Sequence, residues 1–175
     1  MKKLQIGVMG SAADLNYGDD ALKFAKDLGK LIAESGNILV YGAEKEYSSL
    51  STNCAIAASE NGGMTVGITG GKSQEVYGNF RPDVVIPTGM EIGGGREFTL
   101  VLSCDVIIAI SGGSGTLNEM VVAYQAGIPI VTVSGFGGWA DKLADTYIDA
   151  RNRLKCIGVT TPEEAVEAAI KIAKK

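Results

Sequence analysis

Apolar residues along this 175-residue chain follow two alternating rhythms. Unbroken apolar runs, most of them ending at a glycine or a turn residue, fit buried strands at 4–9, 38–41, 65–69, 84–86, 106–110, 129–133 and 156–159. Helix-period patterns lie between them. Residues 19–34 set Ala21, Leu22, Phe24, Ala25, Leu28, Leu31 and Ile32 on one stripe closed by Gly36, and 49–60 reads as a helix of small side chains. Further helices are expected at 96–103, 116–126 and 139–150, the first of them opened by Gly93-Gly94-Gly95. A last helix begins at Thr161-Pro162-Glu163-Glu164, where an N-cap Thr, a Pro at N1 and a capping-box Glu agree. Alternating helices and strands that are apolar throughout predict an α/β fold: a doubly wound, mostly parallel sheet of about seven strands with helices on both faces. Length fits a single domain over 1–175, and no internal repeat is visible. Residues 70–83 show no clean period and read as an exposed connection and candidate lid.

The stretch 105–120 carries the chemistry. Its strand runs into Ser111-Gly112-Gly113-Ser114-Gly115-Thr116 and then into a helix. Glycines there allow positive φ and close backbone approach, and the unpaired N–H groups and dipole of the helix favour an anion. This is a phosphate-binding turn, with Glu119 one turn in as the group able to do chemistry. Thr116-Leu117-Asn118-Glu119 is equally a capping box, in which both side chains only serve the helix end. In doubly wound folds ligands sit off the carboxyl ends of the strands, so Gly10-Ser11, Gly42-Ala43 and 111–116 are expected around one crevice. The first strand lacks a glycine-x-glycine core, which disfavours a full NAD site.

Composition removes several classes. With no histidine, neither Ser-His-Asp catalysis nor His-ligated metal is available, and no metal is expected. A net charge of −4 with no basic run disfavours duplex nucleic acid and anionic membranes. Cys54, Cys104 and Cys156, far apart and in apolar surroundings, read as reduced core residues of a cytoplasmic protein. No signal peptide or run of transmembrane length is recognised.

Gly95-Arg96-Glu97 through Glu119 resembles the paired signature of the Lonely Guy family, nucleoside 5′-monophosphate phosphoribohydrolases of Rossmann-like fold once labelled lysine decarboxylases. The family's Pro-Gly-Gly-x-Gly-Thr-x-x-Glu matches Ser111 to Glu119 at all but its first position, and its Arg falls on Arg96. The chain departs at Ser111, at Glu97 where the family has Lys, and at the loop Tyr41-Gly42-Ala43-Glu44-Lys45-Glu46-Tyr47. Those departures make it resemble the molybdenum-cofactor carrier proteins as well, which hold a phosphorylated ligand without turning it over.

The resemblance implies Arg96 and Glu119 as catalytic residues, and Gly10, Ser11, Gly42, Gly95, Gly112, Gly113, Ser114, Gly115 and Thr116 as phosphate or nucleotide binders. The activity it implies is hydrolysis of an N-glycosidic bond to free base and ribose 5-phosphate. The alternative is a carrier of molybdenum cofactor or a nucleotide. No resident cofactor is expected, since pyridoxal chemistry needs an organised Lys that Lys45 and Lys72 do not offer. A homodimer or a dimer of dimers is implied, and the small-residue helix at 52–60 could serve its packing. Phe136 and Trp139 could flank a base, though packing is their ordinary use. Asp19-Asp20 read as first-turn carboxylates rather than a metal pair.

Overall fold

The computed structural model describes residues 2–12, 16–90 and 95–173. Gly93 and Gly94, expected to open a helix, lie outside the described residues. Strands β1 (Gln5–Gly10), β2 (Ile38–Gly42), β3 (Met64–Thr69), β4 (Val84–Pro87), β5 (Val106–Ile110), β6 (Ile130–Val133) and β7 (Ile157–Val159) form one sheet, ordered β4-β3-β2-β1-β5-β6-β7. Every pairing is parallel. Helices are α1 (Gly18–Glu34), α2 (Leu50–Glu60), α3 (Arg96–Leu102), α4 (Ser114–Ala126), α5 (Gly138–Leu143) and α6 (Pro162–Ala173). The doubly wound fold read from the hydrophobic pattern is the fold observed.

The pattern follows from burial. All five residues of β5 are buried, because α1, α2 and α6 cover one face of the sheet while α3, α4 and α5 cover the other. The α6 capping box forms as read: Thr161 Oγ1 accepts the Glu164 N–H at 3.2 Å, and the Glu164 carboxylate accepts the Thr161 N–H at 3.2 Å. Between α1 and α2 the small residues are used within the chain. Cys54, Ala55 and Ala58 are buried in the core that α1 completes, and a Cβ at Gly29 would run into the Cys54 carbonyl. The 52–60 face is thus occupied by α1.

One expectation is corrected here. The helix read over 139–150 ends at Leu143. Ala144 leaves helical geometry, Asp145 takes φ 57°, and the chain turns so that Tyr147 bridges Lys155 ahead of β7. The 70–83 segment is largely exposed, as read, but it is anchored at a few points. Val76 is buried, Tyr77 donates its N–H to the Glu44 carbonyl at 2.8 Å, and Phe80 packs on Tyr41.

The strand order reverses between β1 and β5, which are neighbours in the sheet but lead to helices on opposite faces. Their carboxyl ends therefore part and leave a crevice there.

Candidate functional site

The crevice encloses about 280 Å³ and is walled by the end of β1, the β2–α2 loop and the starts of α3 and α4. It brings together Gly10, Ser11, Gly42, Gly113, Ser114, Gly115, Thr116, Arg96 and Glu119, which the sequence singled out from four separate stretches. Gly95 and Gly112 support it without lining it. Gly95 turns the chain into α3 at φ 126°, and a Cβ there would stand 2.8 Å from Met90 Sδ.

After β5 the chain passes through Ser111 at φ 55° and Gly112 at φ 96°. A Cβ on Gly112 would strike Thr116, so glycine is required for the turn to close. Gly113 occupies the N-cap of α4 with no side-chain cap. The first-turn N–H groups of this 13-residue helix are thus left for solvent or a ligand. Among the described residues, nothing lies within 4 Å of where a Gly115 Cβ would be. The backbone is bare where an anion would approach.

The capping-box reading of Thr116 and Glu119 does not hold. The cap is Gly113, and Glu119 lies in the second turn, buried in the crevice wall. Burial pushes its carboxyl up to about 8; Arg96 opposes the shift, while Glu97 and Glu44 add to it. Glu119 therefore keeps its proton near neutrality.

Arg96 and Glu97, the first residues of α3, are both buried. The Arg96 guanidinium pairs with Glu44, and its Nη2 stands 3.8 Å from Glu97 Oε1, while its buried Nε has no hydrogen-bond partner among the described residues. A Cβ at Gly42 would come within 3.3 Å of Nη2, so glycine there leaves the guanidinium its seat. One arginine thus faces three carboxyl groups, Glu44, Glu97 and Glu119. Glu44, Tyr47, Ser49 and Ser51 also line the crevice and were not picked out by sequence; only the altered 43–47 loop and the Glu97 charge reversal pointed that way.

Other candidates lie elsewhere. Phe136 packs edge to face on Phe24 at 5.3 Å, and Trp139 carries Lys142 Nζ 4.6 Å above its ring; neither lines the crevice. Lys72 is exposed, as are Asp19 and Asp20 in the first turn of α1. All three cysteines are reduced and buried. Among the described residues no helix is long and apolar enough to cross a membrane.

Known proteins share this architecture. The chain is 32% identical over 127 residues to an uncharacterised protein of Archaeoglobus fulgidus, covering 73% of this chain and 78% of that one. It superposes with a TM-score of 0.81 and 28% identity on the molybdenum cofactor binding protein of the phototrophic bacterium Rippkaea orientalis, over 98% of both chains. The molybdenum cofactor carrier protein of Chlamydomonas reinhardtii gives a TM-score of 0.77 and 27% identity, over 99% of this chain and 100% of that one. Of the two groups the sequence resembles, these structures name the carriers. The model of the SLOG cluster4 family matches residues 3–166, and the chain belongs to that family.

Proposed function

We propose that this protein holds a phosphorylated small molecule in the crevice at the β1–β5 switch point and carries it without turning it over. One observation carries the reading: the start of α4, uncapped by any side chain among the described residues, and the nearly buried Arg96 line one cavity. In it, the 113–116 backbone binds the phosphate, Arg96 contacts phosphate or a neighbouring oxygen, and Gly10, Ser11 and Gly42 form the walls. Likeness to molybdenum cofactor binding and carrier proteins supports that cofactor as the cargo, with a nucleotide as the other candidate.

The test is to purify the protein under anaerobic, reducing conditions, identify what it retains, and titrate stripped protein with phosphorylated ligands. A retained phosphorylated ligand that Arg96→Ala loses supports the carrier. Failure to bind any phosphorylated compound sinks it.

Glu119 favours a second reading, N-glycosidic hydrolysis. A buried carboxyl that titrates near neutrality beside an arginine is a form that acid–base catalysis uses. Release of free base from a nucleoside monophosphate, lost in Glu119→Gln, would establish the hydrolase; intact nucleotide after prolonged incubation leaves the carrier. For either reading, Phe98 and Leu102, exposed one turn apart on α3, supply an apolar face for the homodimer or dimer of dimers, which sedimentation would detect.

A further inference from the structure

The β2–α2 loop places a carboxylate where a phosphate would be expected to bind. Glu44 pairs with Arg96 inside the crevice, and the two side chains are 16% and 6% exposed respectively. The backbone beneath Glu44 is fastened: Ala43 donates its N–H to the Ile68 carbonyl at 2.9 Å, and the Glu44 carbonyl accepts the Tyr77 N–H at 2.8 Å. Its side chain can therefore swing while the loop stays in place. Arg96 is more constrained, seated against Gly42 with Glu97 Oε1 3.8 Å from its Nη2. A ligand anion reaching for this arginine finds Nη1 held by Glu44.

We propose that Glu44 is a specificity-determining residue, a built-in counter-anion for Arg96 that the ligand's phosphate must displace. This rests on the crevice being a phosphate site and deepens that reading. An incoming group must out-compete a carboxylate already in contact and tolerate its charge nearby. A terminal phosphate monoester brings close to two negative charges and three acceptor oxygens, enough to take the guanidinium fork and the α4 N–H groups together. A phosphate diester or a carboxylate brings one charge and gains nothing over Glu44. The crevice thus selects phosphate monoesters and rejects singly charged anions.

The experiment compares wild type with Glu44→Gln by calorimetry at pH 7.5, using ribose 5-phosphate as the monoester, dimethyl phosphate as the diester, and acetate. Wild type should bind the monoester alone. Glu44→Gln should bind it about tenfold tighter and should acquire measurable affinity for the diester. Equal or weaker monoester binding by a folded Glu44→Gln protein, with rejection of the diester unchanged, overturns the proposal while the phosphate site stands. No monoester binding by either protein overturns the phosphate site itself. Thermal unfolding reports whether Glu44→Gln folds; Glu44→Asp, which draws the charge back by one methylene, should tighten monoester binding by a smaller factor and decides the matter if it does not.

Discussion

The Ser11 hydroxyl donates to Ser111 Oγ at 3.1 Å and accepts the Gly112 N–H at 2.8 Å, joining the ends of two adjacent strands that are 100 residues apart in sequence. One side chain thereby spans the switch point and holds the phosphate turn in shape. Ser11 was expected among the ligand-binding residues; its hydrogen is committed to Ser111, and it acts on a ligand chiefly through the turn it holds. Ser111 sits at φ 55°, which a proline ring cannot reach, so the proline that the Lonely Guy motif carries would not fit this conformation.

Ser11→Ala should therefore lower stability by about 1 kcal/mol and weaken phosphate binding by roughly three- to tenfold. Ser111→Pro should do more of both, because it must also move the backbone. Urea denaturation and calorimetry measure the two effects separately. Ser11→Ala that binds phosphate as wild type does would show that the turn holds its shape unaided.

Glu119 makes stability and binding depend on pH in a set direction. Its folded pKa, about 8, lies above the ordinary value of 4.5, so between these the native state binds more protons than the unfolded chain. Its contribution is fully present below about pH 4.5 and is lost as pH rises through about 8. Relative to Glu119→Gln, wild type should thus lose melting temperature across that window, by several degrees. A phosphate in the crevice adds negative charge beside the carboxyl, which Arg96, Glu97 and Glu44 also face, and holds the proton more tightly. Binding should weaken above pH 8 and take up protons, which shows as heats that differ between buffers of unlike ionisation enthalpy. If Glu119 instead served as the base of a hydrolase, turnover would rise through the same pH. The two readings therefore give opposite slopes.

Gly29 tests the packing that holds the strands' helical cover in place. It lies on α1 against α2, where an added Cβ would meet the Cys54 carbonyl carbon at 2.9 Å and the Ala58 nitrogen at 3.1 Å. Both atoms belong to backbone and cannot rotate away. Gly29→Ala should cost about 2–4 kcal/mol despite alanine's better helix propensity, which urea denaturation measures. A neutral Gly29→Ala would mean that the two helices can slide apart freely.

The strands were readable because each is covered on two faces, so burial and sequence run carry the same information; β5 is the clearest case. The end of α5 was not, because residues 144–150 keep a passable helical period. Competing with it is a tertiary demand, the turn that brings Asp145 Oδ1 to the Gly158 N–H at 3.4 Å and sets β7 in register. Arg96 and Glu119 were legible through the motif pair shared with the Lonely Guy family, and both line the crevice. Glu44 was not, since a glutamate in a polar loop is ordinarily solvated, and its burial arises only when α3, 52 residues later, folds over the end of β2. Long-range convergence leaves no local pattern.

The glycines of the phosphate turn separate fold from function. Gly112 has φ 96° and Thr116 where a Cβ would go, so Gly112→Ala should destabilise the whole domain by about 2 kcal/mol or more. Gly115 lies inside α4, outside the positive-φ residues, with open space where a side chain would project into the crevice wall. Gly115→Ala should therefore raise stability by up to about 1 kcal/mol through helix propensity. The same methyl group would stand where the anion approaches the backbone, so phosphate affinity should fall at least tenfold, about 1.4 kcal/mol. Stability and binding would then move in opposite directions from one methyl group. A Gly115→Ala protein that is more stable and binds phosphate unchanged would place the anion away from the start of α4 and leave Arg96 as its main contact.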